Sequence, residues 1–194
     1  MTYLPKDKIV YFATSNIHKY TEACQVLSEC KIVTAMLKKI EAMEIQDDNL
    51  ANIAKFSVID ATRKCHLPII VEDAGLFIEA LNGFPGPYSS YVYRTIGNDG
   101  ILKLIKNIIE RKACFKSVVA FHSPERVEPM CFRSEVEGKI VREKRGSQGF
   151  GFDPIFEPLN SSKTFAEMPF EEKNRHSHRG FALCKFAKWF TSNR

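Results

Sequence analysis

Several features that would assign the chain to a class of protein at once are missing from its sequence. No stretch approaches the roughly 18 consecutive apolar residues that a membrane-spanning helix needs. The six cysteines are scattered and form no C-x-x-C pair, which argues against a zinc site. Neither G-x-G-x-x-G after a strand nor G-x-x-x-x-G-K-S/T occurs in the form that known phosphate-binding loops require. We therefore expect no membrane span, no zinc site and no standard glycine-rich phosphate loop.

The chain also has no basic tail and no RNP-like motif, and its net charge of +5 is spread along 194 residues. A modest, dispersed positive charge suits an anionic ligand, and we expect no stable complex with a nucleic acid. No basic segment followed by a long apolar run marks a secretory signal at the N-terminus. Because the cysteines also have mostly apolar neighbours, the sequence favours a cytoplasmic protein with reduced, buried thiols.

Hydrophobic periodicity predicts an α/β protein. Apolar residues at helical spacing predict helices over 16–27, 48–64, 98–111 and 179–190. Apolar or alternating segments predict strands over 8–15, 69–71, 114–123 and 130–141, the last interrupted at Gly138. The composition of residues 82–91 is that of a loop. Helices between strands, followed by a strand-rich section, favour a single domain over residues 1–194, with up to two lobes and a mixed sheet.

The segment TSNIHK (Thr14–Lys19) ends a predicted strand and opens a predicted helix. Free backbone N–H groups and the positive end of the helix dipole favour an anion at such a position. An ordinary helix start, with Asn16 as the N-cap and Lys19 in solvent, explains the same residues. This segment alone leaves both interpretations open.

Two adjacent carboxylates, Glu72 and Asp73, follow the apolar run 69–71 at the predicted end of a buried strand. Buried carboxylates are costly unless a cation compensates them, and hard oxygen ligands suit Mg²⁺ shared with substrate phosphates. Because side chains alternate along a strand, only one of the two can face a site squarely. Glu44 is a candidate second ligand, and a solvated turn is the alternative interpretation.

Two later segments concentrate unusual side chains. The segment EEKNRHSHRG (171–180) is either a solvated charged surface or a source of donors for the oxygens of a nucleobase or phosphate. In GSQGFGFDPIFEP (146–158), the glycines let the backbone approach a flat ligand and Phe150 offers a stacking face. We expect Asp153 to bind an edge of the ligand or to orient nearby cations. Phe152 and Phe156 are expected to be core residues under the turn.

The chain resembles the inosine triphosphate pyrophosphatase (ITPase) family, whose members hydrolyse noncanonical purine nucleoside triphosphates. The resemblance covers nearly the whole chain, is closest to archaeal members, and rests on the ordered motifs TSNIHK, EIQ, VEDAGL, GFPGPYS, GFGFDPIF, KTFAEM and EEKNRHSHRG. It implies an elongated α/β fold, with a mixed sheet flanked by helices and two lobes around a central nucleotide cleft. It also implies a homodimer and one or more Mg²⁺ ions.

The resemblance further implies a role for each matching residue. The residues expected to bind the triphosphate are Thr14, Ser15, Asn16, Lys19 and Lys55, and Ile17 and His18 between them are expected to contact the substrate. The carboxylates expected to hold Mg²⁺ are Glu44 and Asp73, with Glu72 as a further candidate, and Asp73 is also the expected base that activates water. The residues expected to meet the rest of the substrate are Ala74, Phe150, Gly151, Phe152, Asp153, Lys173, His178 and Arg179. Where many members have an arginine, this chain has Tyr91, and Arg94 is the candidate replacement.

The implied reaction is the Mg²⁺-dependent hydrolysis of ITP, dITP or XTP to a nucleoside monophosphate and pyrophosphate, which clears these nucleotides from the pool. Cationic donors such as Lys173 can hydrogen-bond the 6-oxo group of these purines. The amino group of adenine is itself a donor, so the same side chains disfavour it. Two other functions stay open. One is a Maf-like pyrophosphatase acting on modified pyrimidine nucleotides, and the other is a noncatalytic nucleotide- or RNA-binding module.

Overall fold

The structure is a computed structural model that describes residues 8–38, 40, 43 and 45–193. The helices are α1 (Ile17–Glu29), α2 (Leu50–Cys65), α3 (Ser89–Thr95), α4 (Gly97–Leu104), α5 (Phe170–His176) and α6 (His178–Ser192). The strands are β1 (Ile9–Ala13), β2 (Val33–Leu37), β3 (Ile69–Ile78), β4 (Pro85–Gly86), β5 (Lys112–His122), β6 (Met130–Ile140) and β7 (Phe156–Pro158). None of the described helices is both long and apolar enough to cross a membrane. Glu44, a candidate metal ligand, lies outside the described residues.

The strands form a mixed sheet in the order β2-β1-β3-β5-β6-β7, with β4 paired to β3. β1 runs parallel to β2, with Ile9 opposite Val33, and it also runs parallel to β3. β4 is antiparallel to β3, and β7 is antiparallel to β6. Helices α1 and α2 supply the crossovers that parallel neighbours need. The predicted mixed α/β fold is confirmed. The interruption predicted at Gly138 was wrong, because this residue's missing side chain leaves room for the carbonyl of Glu157 on β7.

The described chain divides into two compact units, each with its own apolar core. The first unit contains the described residues up to Asp73, together with 118–133 and 179–193. The second unit contains residues 74–117 and 134–178. Core residues of the first unit include Phe12, Leu27, Phe121 and Phe186. Core residues of the second unit include Leu76, Phe115, Phe156 and Phe165.

The helix predicted over 98–111 is much shorter than expected. Gly97, with a φ of 61°, begins α4, which ends at Leu104, and part of the segment predicted as a loop forms α3. Beyond α4, the buried guanidinium of Arg111 donates hydrogen bonds to the carbonyls of Ile105 and Ile140. Tertiary hydrogen bonds therefore take the place of a continued helix.

The strand predicted to end at the paired acids continues past them. Glu72 and Asp73 lie inside β3, which has ten residues. A close backbone approach makes the extension possible, because a Cβ at Gly75 would lie 2.2 Å from the carbonyl oxygen of Gly86 on β4. Ser89 Oγ accepts a hydrogen bond from the β3 backbone (2.8 Å) and donates one to the Gly86 carbonyl (2.7 Å). The carboxylates therefore project from a rigid, paired strand.

The cysteines are free thiols, as expected, but the prediction that they are buried was wrong. Five of them are partly exposed and Cys184 is exposed. Cys30 illustrates the reason, because it packs against the edge of the first unit's core and is not enclosed by it.

Candidate functional site

The connection between β1 and α1 is a capped helix start. Asn16 Oδ1 accepts hydrogen bonds from the backbone N–H groups of His18 (3.0 Å) and Lys19 (3.2 Å). Thr14 Oγ1 accepts one from the backbone N–H of Asn16 at 3.1 Å. The side chains left exposed around this cap are those of Ser15, Ile17 and His18. The N-cap predicted at Asn16 is confirmed, and it already satisfies the N–H groups of His18 and Lys19. The alternative that leaves Lys19 in solvent was wrong, because its ammonium pairs with Glu72. The helix dipole still favours an anion at this end.

Lys19 belongs to a network of alternating charges. Its ammonium lies 3.0 Å from Glu72 Oε2 and donates to the Glu72 carbonyl oxygen, also at 3.0 Å. Glu72 Oε1 lies 3.2 Å from Nε of Arg179, and Arg179 Nη1 donates to the carboxylate of Glu22. The side chains of Glu22, Glu72 and Arg179 are buried. Because each buried charge meets an opposite one, the network offsets a desolvation cost that would otherwise be large.

Glu22 was not among the candidate residues predicted from the sequence. It lies on the buried face of α1, four residues before Val26. A carboxylate on the apolar face of a helix needs a cationic partner, and this was the signal that could have identified it. Burial alone would lower the pKa of Arg179, but attraction to Glu72 and Glu22 raises that pKa above its ordinary value. The guanidinium therefore stays charged, and Arg179 is not a solvated surface residue.

Asp73 adjoins this network in the chain but projects differently. It is half-buried in β3, and alternation along the strand directs its side chain away from the face that carries Glu72. Glu72 is engaged with Lys19 and Arg179. The role of Asp73 as metal ligand and base stays a prediction. Lys55 is exposed on α2, and the described contacts do not bring it into the network.

A second group of predicted residues forms within the second unit, around Lys173. Asp153 Oδ2 accepts hydrogen bonds from Lys173 Nζ (2.6 Å) and from the backbone N–H of Phe150 (2.7 Å). The Lys173 ammonium lies 4.8 Å from the centre of the Phe150 ring. Both members of the ion pair are buried. Asp153 thus orients a cation, and the ring and the ammonium are held together.

Glycines shape the loop that carries Phe150. Gly149 and Gly151 have φ values of 72° and 63°, in the left-handed region that side chains disfavour. A Cβ at Gly149 would lie 2.2 Å from Asp153 Oδ2, whereas one at Gly151 would meet nothing within 4 Å. Phe152 and Phe156 are buried in the core of the second unit, as predicted. The loop therefore brings Phe150 close to the carboxylate that holds Lys173.

His178 begins α6 and is buried, with its imidazole stacked on the ring of Phe115. The peptide bond between His178 and Arg179 joins the second unit to the charge network of the first. A corresponding junction lies between Asp73 and Ala74, which is half-buried on β3. Arg94 is exposed on α3, where its Nε donates to the carbonyl of Ser90 at 3.4 Å. Its role as a replacement arginine stays a prediction.

Comparison with known proteins identifies the family. Residues 10–189 match the Ham1 family. The chain belongs to the Ham1 family. This Ham1 protein is 49% identical over 184 residues to the dITP/XTP pyrophosphatase of Methanopyrus kandleri, covering 95% of this chain and 97% of that protein. It is 47% identical to the dITP/XTP pyrophosphatase of Pyrococcus horikoshii, with shares of 95% and 97%.

A solved structure supports the same assignment. The HAM1 protein from Coxiella burnetii superposes on the Ham1 chain with a TM-score of 0.83 at 29% identity, over 95% of this chain and 98% of that one. The predicted resemblance to a family of nucleoside triphosphate pyrophosphatases is thereby confirmed.

Proposed function

We propose that this Ham1 protein is a Mg²⁺-dependent pyrophosphohydrolase of the noncanonical purine nucleotides ITP, dITP and XTP. Its products are a nucleoside monophosphate and pyrophosphate, so its activity removes these nucleotides from the pool. The relatives from M. kandleri and P. horikoshii carry the name dITP/XTP pyrophosphatase. The observation that carries the proposal is the buried Lys173 ammonium, held by Asp153 at 2.6 Å and close to the ring of Phe150.

The Lys173 ammonium favours an oxo group over an amino group. A lysine side chain only donates hydrogen bonds, and a 6-oxo purine presents an acceptor where adenine presents a donor. Because Asp153 fixes this cation in a buried position, the ammonium cannot readily turn away from a mismatched base. A site built to hydrogen-bond its ligand rejects mismatched analogues strongly. The 6-oxo group is shared by GTP, so substrate tests must include GTP.

The residues of the first unit are suited to the triphosphate. The start of α1 offers the positive end of the helix dipole, and Lys19 is anchored there by Glu72. In the proposed reaction, a water oxygen bonds to the α-phosphorus while the bond from that phosphorus to the bridging oxygen breaks. Asp73 accepts the proton of the water, and pyrophosphate leaves toward Lys19 and Lys55.

Mg²⁺ fits the donor set of this chain. The ion usually keeps several waters and binds one or two protein carboxylates together with substrate phosphates. Over the described ranges, no group of three or more His, Cys, Asp or Glu forms a self-sufficient metal cage. Asp73, together with Glu44, would supply the two carboxylates. When bound, the ion neutralises phosphate charge and lowers the pKa of a coordinated water.

The test is pyrophosphate release from ITP, dITP, XTP, GTP and ATP, with and without Mg²⁺. We expect ITP, dITP and XTP to be hydrolysed faster than ATP, and chelation of the metal to stop turnover. Equal or absent turnover across the panel would refute the proposal. Preferential turnover of dTTP, UTP or 5-methyl-UTP would instead indicate a Maf-like enzyme. Nucleotide binding that weakens with salt and leads to no turnover would indicate a noncatalytic binding module.

One substitution tests the assignment of Asp73. Asp73→Asn should lower turnover by about two orders of magnitude or more, because the amide neither accepts the proton nor binds the cation as well. The matched control is Asp99→Asn, which changes an exposed carboxylate on α4. Circular dichroism verifies that both variants fold. Full activity of the Asp73→Asn variant would exclude Asp73 as the catalytic base and as a metal ligand.

The proposal also includes a homodimer, which the family resemblance implies, and a cytoplasmic location, which the scattered cysteines favour. Light scattering after gel filtration tests the assembly, and a homodimer should have twice the 22.1 kDa mass of the chain. A mass equal to that of one chain would contradict this part of the proposal.

A further inference from the structure

The flat face of Phe115 covers the imidazole of His178. The two ring centres are 4.4 Å apart and the ring planes differ by only 5°, so the rings are stacked in parallel. The nitrogens of an imidazole form hydrogen bonds in the plane of the ring. Phe115, on β5, therefore limits the directions in which the His178 nitrogens can point.

Phe115 is itself held in place by other aromatic rings of the second unit. Phe156 meets it edge-on at 4.8 Å, and Phe165 lies 6.0 Å from it at a tilt of 29°. Phe165 also lies 6.2 Å from the imidazole of His178. All of these side chains are buried, and packed interiors leave little room for a ring to tilt. Phe115 and Phe165 therefore lie against the imidazole of His178, and Phe156 supports Phe115.

We propose that Phe115 is a positioning residue for nucleobase recognition. It sets the plane in which His178 presents its ring nitrogens to the 6-oxo group of the purine. This inference rests on the proposed function and on the expectation from the family resemblance that His178 meets the substrate. Hydrogen bonds weaken steeply as their angle departs from linearity, so a tilted imidazole would distinguish oxo from amino groups less well. Phe115 thus acts on the substrate through His178.

The test compares two phenylalanines of the same strand. Phe115→Leu keeps an apolar side chain but removes the flat face, and Phe121→Leu is the matched control. Phe121 is also buried on β5 but packs against Phe186, Trp189 and Phe190 in the first unit. The quantities to measure are kcat/KM for ITP and ATP and the NMR chemical shifts of the His178 ring protons. The ring of Phe115, stacked on the imidazole, displaces these chemical shifts.

We expect Phe115→Leu to lower the ITP-to-ATP ratio of kcat/KM by about tenfold and to shift the His178 signals. Phe121→Leu should leave both unchanged, and Phe115→Tyr, which keeps the ring face, should preserve them. In a His178→Ala background, Phe115→Leu should not change the ratio further, because the two residues act as one unit. If Phe115→Leu does not fold, Phe115→Met fills similar space without a ring and replaces it.

The outcomes separate this inference from the function on which it rests. A wild type that discriminates ITP from ATP, with a ratio unaffected by Phe115→Leu, would overturn the positioning role alone. An equal loss in the His178→Ala background would also overturn it, since Phe115 would then act by another route. A wild type without discrimination would refute the proposed function and, with it, the role of Phe115.

Discussion

Replacing Lys173 should affect both stability and recognition, and the structure indicates by how much. The side chains of Lys173 and Asp153 are only 2% and 5% exposed, and their charged atoms are 2.6 Å apart. Lys173→Met keeps most of the aliphatic stem but leaves the Asp153 carboxylate buried without this cation. Removing one partner of a buried ion pair costs about 3–5 kcal/mol, because the remaining charge stays desolvated. We therefore expect a large loss of unfolding free energy.

Urea unfolding followed by circular dichroism measures this loss. For a chain of this size, the denaturant slope lies toward the upper end of about 1–3 kcal/mol/M, so the midpoint should fall by about 1–2 M. Lys163→Met is the matched control. Its partner is Glu172 at 3.1 Å, and the two side chains are 49% and 36% exposed. An exposed pair contributes at most about 1 kcal/mol, so this midpoint should move little.

A double variant separates stability from recognition. Adding Asp153→Asn to Lys173→Met removes the stranded charge, while the amide oxygen can still accept the hydrogen bond from Phe150. Stability should partly recover, but the preference for ITP over ATP should stay low because the donor is gone. Two results would refute this reasoning. One is a Lys173→Met midpoint equal to that of Lys163→Met, and the other is an unchanged preference for ITP.

Three further predictions concern the glycine loop and two buried carboxylates. Gly149→Ala should lower the thermal midpoint of unfolding more than Gly151→Ala. Both glycines have a positive φ, but only a Cβ at Gly149 would lie 2.2 Å from Asp153 Oδ2. Equal effects of the two substitutions would contradict this. Glu22→Gln should lower the free energy of unfolding, measured with urea, by about 3 kcal/mol, because the buried Arg179 loses one of its two carboxylate partners. A loss below about 1 kcal/mol would argue against the charge network. Burial alone would raise the pKa of Glu157, but hydrogen bonds from two neighbouring cations hold it below its ordinary 4.5. The ionised Glu157 therefore stabilises the fold above pH 4.5, and this contribution is lost as the pH falls through the lower, folded-state pKa. Glu157→Gln should accordingly make the acid-induced loss of stability less steep. Parallel pH profiles for wild type and variant would exclude that contribution.

Local signals predicted much of the fold. The N-cap at Asn16 was evident because a capping side chain bonds to amides only two and three residues away. The mixed α/β class followed from hydrophobic periodicity, and the motif order indicated the family. Several of the predictions that failed needed a distant partner. The strand past Asp73 depends on β4, and the early end of α4 depends on hydrogen bonds from Arg111 to two separate carbonyls.

The sequence by itself determined the types of residue available to the candidate site and their order along the chain. Only the tertiary structure decided which charges meet, for example that Glu72 pairs with both Lys19 and Arg179. Glu22 and Arg179 are 157 residues apart, and Lys173 and Asp153 are 20 apart. Periodicity and capping act over about one helical turn, so they carry no information about such pairs. These contacts form only when packing brings the segments together and burial makes each charge depend on an opposite one.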